Sequence, residues 1–274
     1  MDYADLTALR VDVEGGVATV VIDHPPINLI DRALHRELVR VTDALGHDES
    51  IRVVVLESAL PDFFIAHFDV ELILQFPRDG SPPTERSPFH RMCEHLRTMP
   101  KATIAMVEGR VGGGGSELIL SCDMRFAARG RAVLSQPEVA LGIIPGGTGT
   151  QRLPRLMGRS RAMEVVLGAD EFDADTAERY GWVNRTFDPD ELRPFVHRLA
   201  HRIASFPAEA VAEAKAAVLL AERGIDDDLL AEASAFNRML ALDDAPRRMQ
   251  AFLERGGQTE AGELRLGRIV DEMS

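Results

Sequence analysis

Twice the chain sets a run of glycines between an apolar segment and a stretch with helical character. Ala102 to Val107 has the length and composition of a strand. Gly109 and Gly112 to Gly115 follow, and then a short apolar helix is expected from Ser116 to Cys122. Gly142 to Gly149 is a second glycine-rich loop, leading into a helix around Gln151 to Met157. A strand that turns tightly into a helix, repeated along a chain, is most simply satisfied by a sheet covered with helices.

The flanking segments agree. Leu9 to Val13 and Val17 to Ile22 flank Glu14-Gly15-Gly16, a turn signal between β-branched runs that predicts a hairpin. His24-Pro25-Pro26 stops the second strand. Asp31 is placed to cap a helix running to about Leu45, with Leu34, Leu38, Val41 and Leu45 at helical spacing. Ile51 to Leu56 is continuously apolar over a strand's length, as in a strand covered on both faces. Gly80 to Pro88, with prolines at 82, 83 and 88, reads as a loop. Arg125 to Ala128 and Ala132 to Leu134 are further short strands. Beyond about Pro189 the pattern is helical only. Leu192, Phe195, Leu199 and Ile203 share one face, and Ala208 to Ala221, Leu229 to Leu240 and Pro246 to Leu253 make three more helices. The expected organisation is an α/β core over residues 1–188 and a helical lobe over 189–274, with apolar faces available to a partner subunit.

Composition excludes several classes. The net charge of −13 argues against a nucleic-acid surface, which needs clustered cations, and an aromatic content of 5% argues against base stacking. Apolar runs such as Val17 to Ile22 are far too short to span a bilayer. The N-terminal MDYADL is acidic and has no apolar h-region, so no signal or transit peptide is expected. Cys93 and Cys122 are the only cysteines, which fits a reducing cytosol.

The glycine run fails three known motifs. No Gly-Lys-Ser/Thr follows it, as a Walker A loop requires. Gly-Ser-Glu-Leu lacks the second glycine of a nucleophile elbow. The dinucleotide fingerprint would need glycine at 117, where Glu117 stands. Taken alone, the run reads first as a tight strand-to-helix turn. It also lets backbone approach a ligand closely, and the helix that follows offers unpaired N–H groups suited to a developing negative charge, such as a thioester oxygen becoming an enolate. Two carboxylates stand nearby in sequence. Glu117 lies in the first turn after the glycines, and Glu138 lies among apolar residues in Leu134-Ser-Gln-Pro-Glu-Val-Ala-Leu-Gly142. A carboxyl in apolar surroundings has a raised pKa and can trade protons near neutral pH. Singly, each has a plainer reading: Glu117 complementing the helix dipole, Glu138 in a surface loop.

Taken together these segments resemble the enoyl-CoA hydratase (crotonase) family. The resemblance runs through Val107-Glu-Gly-Arg-Val-Gly-Gly-Gly-Gly-Ser-Glu-Leu118, Cys122-Asp123, Gln136-Pro-Glu138 and Gly142-Ile-Ile-Pro-Gly-Gly-Thr-Gly-Thr-Gln-Arg-Leu153. Phe64-Ile-Ala-His-Phe-Asp69 is similar to the family's oxyanion loop, usually Phe-x-Ala-Gly-Ala-Asp. Ala174 to Val183 is similar to its Ala-x-x-Gly-Leu-Val segment, and Ala251 to Arg255 to the stretch near the CoA entrance. The resemblance implies an α/β fold, a crotonase-like spiral of repeated β-β-α units with a C-terminal helical lobe, assembled into trimers or hexamers. It implies an acyl-CoA enzyme, most simply a hydratase-like lyase. Glu117 and Glu138 would be catalytic, and the backbone N–H groups of Phe68 and Gly114 would form an oxyanion hole. Ala66, His67, Phe68, Asp69, Gly113, Gly114, Pro137, Gly146 and Phe252 would line the CoA and acyl site. No metal and no cofactor are implied, coenzyme A being part of the substrate. Isomerases and hydrolases share the scaffold, and a non-catalytic acyl-CoA-binding subunit is the alternative from another class.

The oxyanion loop departs from the family pattern. His67 stands where glycine is usual, and Phe68 replaces a small residue. The Phe68 N–H survives the change, while its ring would narrow the acyl pocket. His67 reads either as loop packing or as an additional acid or base. His197 and His201, at i and i+4, read as a solvated helix face, and His90 and His95 form no recognisable constellation.

Overall fold

The predicted hairpin forms around Gly15-Gly16: β1 (Leu9–Glu14) pairs antiparallel with β2 (Val17–Ile22). The structure, a computed structural model, describes residues 5–222 and 225–273, and the side chains of all of these except 225–228. Asp31 caps α1 (Arg32–His47), its carboxylate accepting from Ala33 N and Leu34 N at 2.9 Å each, which satisfies donors that a first helical turn leaves open. Then come β3 (Val53–Ser58), β4 (Phe63–Ile65), α2 (Val70–Ile73) and α3 (Pro88–Thr98). The next turn of chain is β5 (Ala102–Val107), β6 (Arg110–Gly112) and α4 (Gly113–Leu120). It is followed by β7 (Met124–Ala128), β8 (Val133–Ser135), a 3₁₀ turn (Glu138–Leu141), α5 (Gly149–Met157) and α6 (Arg159–Gly168). β9 (Glu171–Asp173), α7 (Ala174–Tyr180) and β10 (Arg185–Phe187) close the core.

Two sheets result. One has six strands in the order β1-β2-β3-β5-β7-β10, and the other has four in the order β4-β6-β8-β9. Each turn gives one strand to each sheet, β3 then β4, β5 then β6, β7 then β8, and these pair parallel with the equivalent strand of the next turn. This is the spiral of β-β-α units that the family resemblance implies. β5 is buried at every residue, as a strand covered on both faces must be. The main core lies on one face of the larger sheet, where Leu34, Leu38, Leu96, Leu118 and Ile119 from α1, α3 and α4 are each 1% exposed or less. Fully burying a side chain of that kind is worth roughly 1.5–3 kcal/mol.

The remaining helices are α8 (Pro189–Ala204), α9 (Ala208–Leu219), α10 (Ile225–Leu240), α11 (Asp244–Glu254), α12 (Glu260–Glu263) and α13 (Leu266–Asp271). They divide between two places. α8 covers the outer face of the larger sheet through Leu192, Val196 and Ala200, which join Val53, Ile104 and Phe126 in a second core. From α10 onward the chain packs on α2 and the 3₁₀ turn, with Leu240, Met249, Phe252 and Ile269 against Val70, Ile73 and Leu141. α9 buries none of its residues within the chain.

Candidate active site

The glycine run belongs to the helix rather than preceding it. α4 starts at Gly113 where the sequence places a helix start at Ser116, so the peptide N–H groups of Gly113 to Gly115 are the open donors of a first turn. Gly113 takes φ +46°, a left-handed conformation that glycine enters without a side-chain penalty. A β-carbon there would also stand 3.0 Å from Glu138 Oε1 and 3.2 Å from His67 Cβ. At Gly114 a β-carbon would lie 3.0 Å from Phe68 Cβ and 3.5 Å from Phe68 N. Only a narrow gap therefore separates Phe68 from the backbone of Gly114, and a side chain at 114 would press on Phe68.

The Phe68 peptide is aimed by its neighbours. Ile30 and Phe68 form an isolated parallel bridge in which Ile30 N donates to His67 O at 3.0 Å and Asp69 N donates to Ile30 O at 3.1 Å. In that pattern the bonds fall on the residues either side of Phe68, so Phe68 N–H points away from Ile30, and a β-carbon at Gly114 would stand 3.5 Å from that nitrogen. The C-terminal end of α4 is fixed as well. Buried Arg125 donates from Nη1 to Cys122 O at 2.7 Å and from Nε to Trp182 O at 2.8 Å.

Glu117 sits in α4 with its side chain turned to the second glycine-rich loop. One oxygen, Oε1, accepts from Gly147 N (2.8 Å), Thr148 N (2.9 Å) and Gly149 N (2.8 Å). Glu138 opens the 3₁₀ turn; it is buried, and its Oε2 has no hydrogen-bond partner among the described residues. Burial first and the charge of Glu232 second push the Glu117 carboxyl up to about 8, against the pull of its three N–H donors. Burial and the charge of Glu117 hold Glu138 well above the ordinary carboxylate range. Of two carboxyls that disfavour each other's ionisation, the one already held by three donors gives up its proton first. Glu117 has those three donors, which favour its ionised form, and Glu138 has no comparable set.

Glu232 and His90 were not legible as a pair. Glu232, on α10, is 3% exposed; its Oε2 accepts from Thr150 Oγ1, and its Oε1 lies 3.6 Å from His90 Nε2 on α3. No motif spans the 142 positions that separate them, and they meet only because the C-terminal segment folds back over the second glycine-rich loop. Phe68 was expected to narrow an acyl pocket. Its ring lies edge-on to Phe89 at 5.9 Å and 6.2 Å from His35, whose Nε2 is buried without a partner among the described residues. Burial lowers the His35 pKa, favouring the neutral ring.

The structure thus brings His67, Phe68, Gly113, Gly114 and Glu138 into one neighbourhood, where the charge of Glu117 acts on Glu138, and Ala66 adjoins it on the side of Gly112. The other expected lining residues have different surroundings. Asp69 caps α2, accepting from Glu71 N at 2.9 Å. Pro137 is buried immediately before the 3₁₀ turn. Gly146 lies beneath Phe236, whose ring a β-carbon there would approach to 2.6 Å. Phe252 is 1% exposed in the C-terminal core, with its ring 5.7 Å from that of His67. His197 Nε2 lies 3.6 Å from Oε2 of the buried Glu57. Among the described residues no group of three or more His, Cys, Asp or Glu is arranged to hold a metal ion, and no helix is long and apolar enough to cross a membrane.

Residues 12–260 match the family described as Enoyl-CoA hydratase/isomerase. The chain is similar to a crotonyl-CoA hydratase of Syntrophomonas wolfei, 34% identical over 89% of this chain and 94% of that one. It is 33% identical to a short-chain-enoyl-CoA hydratase of Clostridium acetobutylicum, over 92% and 96% of the two chains. Among solved structures, a Streptomyces avermitilis protein matches with a TM-score of 0.90 at 40% identity, covering 97% of this chain and 98% of that one.

Proposed function

Since the chain belongs to the enoyl-CoA hydratase/isomerase family and is an enzyme of that type, we propose that it adds water across the double bond of a trans-2-enoyl-CoA to give a 3-hydroxyacyl-CoA. The observation that carries this reading is a pair of buried carboxyls, Glu117 and Glu138, close enough for the charge of one to act on the other, with Glu138 meeting Gly113 beside the close approach of Gly114 to Phe68.

In this reading the thioester oxygen enters the gap and the two carboxyls hold one water. Glu117, the more readily ionised, takes a proton from that water as its oxygen bonds to C3 of the substrate. The electron pair of the C2–C3 bond moves towards the thioester, whose oxygen becomes an enolate held by Phe68 N–H and Gly114 N–H. Glu138, which keeps its proton, gives it to C2 as the enolate collapses. Donors fixed in place before charge develops are the efficient way to stabilise such an intermediate. The reaction is redox-neutral and asks for no cofactor beyond the coenzyme A the substrate carries.

The relatives described as crotonyl-CoA and short-chain-enoyl-CoA hydratases support a short acyl group. So does the aromatic wall of Phe68 and Phe89. The free, buried thiols of Cys93 and Cys122 are consistent with a reducing cytosol. A trimer or hexamer would cover α9, where Val218 is 73% exposed; a stable monomer in light scattering would contradict that assembly.

A panel of trans-2-enoyl-CoA thioesters of varied length, followed by loss of the conjugated thioester absorbance, tests the reaction. Rapid loss on the short members is expected. Release of free CoA would identify a hydrolase instead, a shifted double bond an isomerase, and tight binding without turnover a non-catalytic subunit.

A further inference from the structure

His67 departs from the glycine usual in the oxyanion loop, and the structure supplies a use for it. The side chain is 6% exposed and both ring nitrogens are engaged. Nδ1 is 2.8 Å from Phe68 O, and Nε2 is 3.1 Å from Oε1 of Glu263, a residue 196 positions away whose side chain is 2% exposed. A carbonyl oxygen can only accept, so Nδ1 must carry a hydrogen. An ionised carboxylate can only accept, so Nε2 must carry one as well. The imidazolium is the state that satisfies both bonds.

The same C-terminal segment holds the loop at further points. Glu263 Oε1 also accepts from Gln258 N at 2.7 Å. Gln258, at the left-handed φ of +64°, accepts from Val70 N with its side-chain oxygen and donates from Nε2 to Asp69 Oδ1 at 3.1 Å. Residues 67, 69 and 70 are thereby fastened to 258–263, while Ile30 N fastens the 67–68 peptide from the other side. The Phe68 N–H lies in that peptide.

We propose that Glu263, acting through His67, is a positioning residue that clasps the oxyanion loop to the C-terminal segment and so holds Phe68 N–H aimed at the thioester oxygen. His67 does not exchange protons with the substrate, since its ring is spent on the clasp. The inference rests on the hydration reading for its catalytic consequence and on the hydrogen bonds alone for its existence. Charge agrees with the geometry: burial works against the imidazolium, yet Glu263 raises the His67 pKa, and in turn burial works against the carboxylate while His67 lowers that of Glu263. Other groups face the pair. Asp69 acts on His67 from the loop, Arg110 acts on Glu263 from β6 and is itself paired with Glu171, and Glu138 approaches the His67 side across Gly113.

Two variants separate positioning from bulk stability. In Glu263→Gln the amide can accept from Gln258 N and donate to a neutral His67 Nε2, which keeps the clasp without charge. In Glu263→Ala the clasp is gone. Nitrogen-detected NMR of the His67 ring across pH, on the folded full-length chain, reads the clasp directly. We expect an imidazolium at neutral pH in the wild type, and a titration midpoint lowered by at least about one unit in Glu263→Gln. Steady-state kinetics on crotonyl-CoA read the consequence: displacing a reacting geometry by about an ångström costs on the order of 10²-fold. Glu263→Ala is expected to lose on the order of 10²-fold in kcat with a smaller change in KM, and Glu263→Gln to recover most of that loss. An unchanged His67 midpoint in Glu263→Gln, or wild-type kcat in Glu263→Ala, overturns the proposal. If the wild type hydrates no enoyl thioester, the functional reading fails, and the imidazole titration still decides the clasp.

Discussion

Adding one methyl group at Gly114 separates the chemistry from the fold. In Gly114→Ala the new carbon would stand 3.0 Å from Phe68 Cβ, 3.5 Å from Phe68 N and 3.7 Å from Ile30 Cδ1. The backbone at Gly114 is not left-handed, and alanine is favoured over glycine within a helix by roughly 0.8–1 kcal/mol. The contact with Phe68 Cβ is a few tenths of an ångström too close, and overpacking of that kind costs roughly 1–3 kcal/mol. The net effect on stability is therefore a loss of about 2 kcal/mol at most. On the proposed reading the effect on chemistry is larger, because the methyl presses on Phe68, whose peptide N–H is one of the two proposed oxyanion donors. Loss of a single oxyanion donor costs about 10²–10³-fold in kcat, or roughly 2.7–4 kcal/mol. The assay is hydration of a short enoyl-CoA by absorbance, with a thermal melt of the same preparation. The expected result is a folded protein with a small shift in Tm and kcat reduced by at least about 10²-fold. A folded Gly114→Ala enzyme within threefold of wild type would refute the placement of the oxyanion at this gap. Gly115→Ala is the contrasting control: its β-carbon would lie 2.6 Å from Ile65 Cγ2 and 2.8 Å from Ile65 O, so there folding itself should fail.

Further expectations concern the side chains around the same gap. Glu117→Gln and Glu138→Gln should each lose about 10²–10⁴-fold in kcat, and the double variant should be little worse than the poorer single, as the proposed sharing of one water requires; multiplicative losses would show independent roles. Phe68→Ala leaves the peptide donor in place but removes a ring packed on Phe89 and His35, so it should extend the accepted acyl length more than it changes the rate on the best short substrate; an unchanged substrate ranking would count against the aromatic wall. The charge of Glu232 helps to push Glu117 up to about 8, so Glu232→Gln should lower that pKa and move the acidic limb of kcat/KM to lower pH; a shift to higher pH would contradict the sign. The His67–Glu263 pair should also stabilise the fold within a window. His67, raised from 6.5, contributes fully below that pH and less as pH rises through its folded value; Glu263, lowered from 4.5, contributes above that pH and less as pH falls through its own. The difference in Tm between wild type and Glu263→Gln should therefore be largest between about pH 4.5 and 6.5, and a difference that grew above neutral pH would argue otherwise.

The longer elements could be read from the chain because their signals are local. The Gly15-Gly16 hairpin, the Asp31 cap and the strand Ala102 to Val107 stand where the sequence indicates, and the apolar run from Ile51 to Leu56 overlaps β3. β4, β6 and β9 could not be read. Each is three residues long and is paired by strands distant in sequence, so it leaves no periodicity to detect. α8 reads as part of a separate lobe because its apolar face is visible and its partner is not; that face lies on the core sheet. The candidate site divides in the same way. Glu117, Glu138 and the glycines form a compact motif recognisable by resemblance. Glu232, Glu263 and Gln258 reach the site only through the folding back of the C-terminal segment, and as single polar residues on helices and turns they carry no signal. His67 was visible as a departure from the family pattern, but its partner became evident only in three dimensions.

The central claim is that water adds at C3 of an enoyl thioester between Glu117 and Glu138. Turnover of crotonyl-CoA in water labelled with heavy oxygen, followed by mass spectrometry of the products, tests it most directly. The account predicts a 3-hydroxyacyl-CoA carrying one heavy oxygen on C3 with the thioester intact, and loss of that product in Glu117→Gln and Glu138→Gln. Heavy oxygen in a released carboxylate, or an isomerised thioester without label, would contradict it.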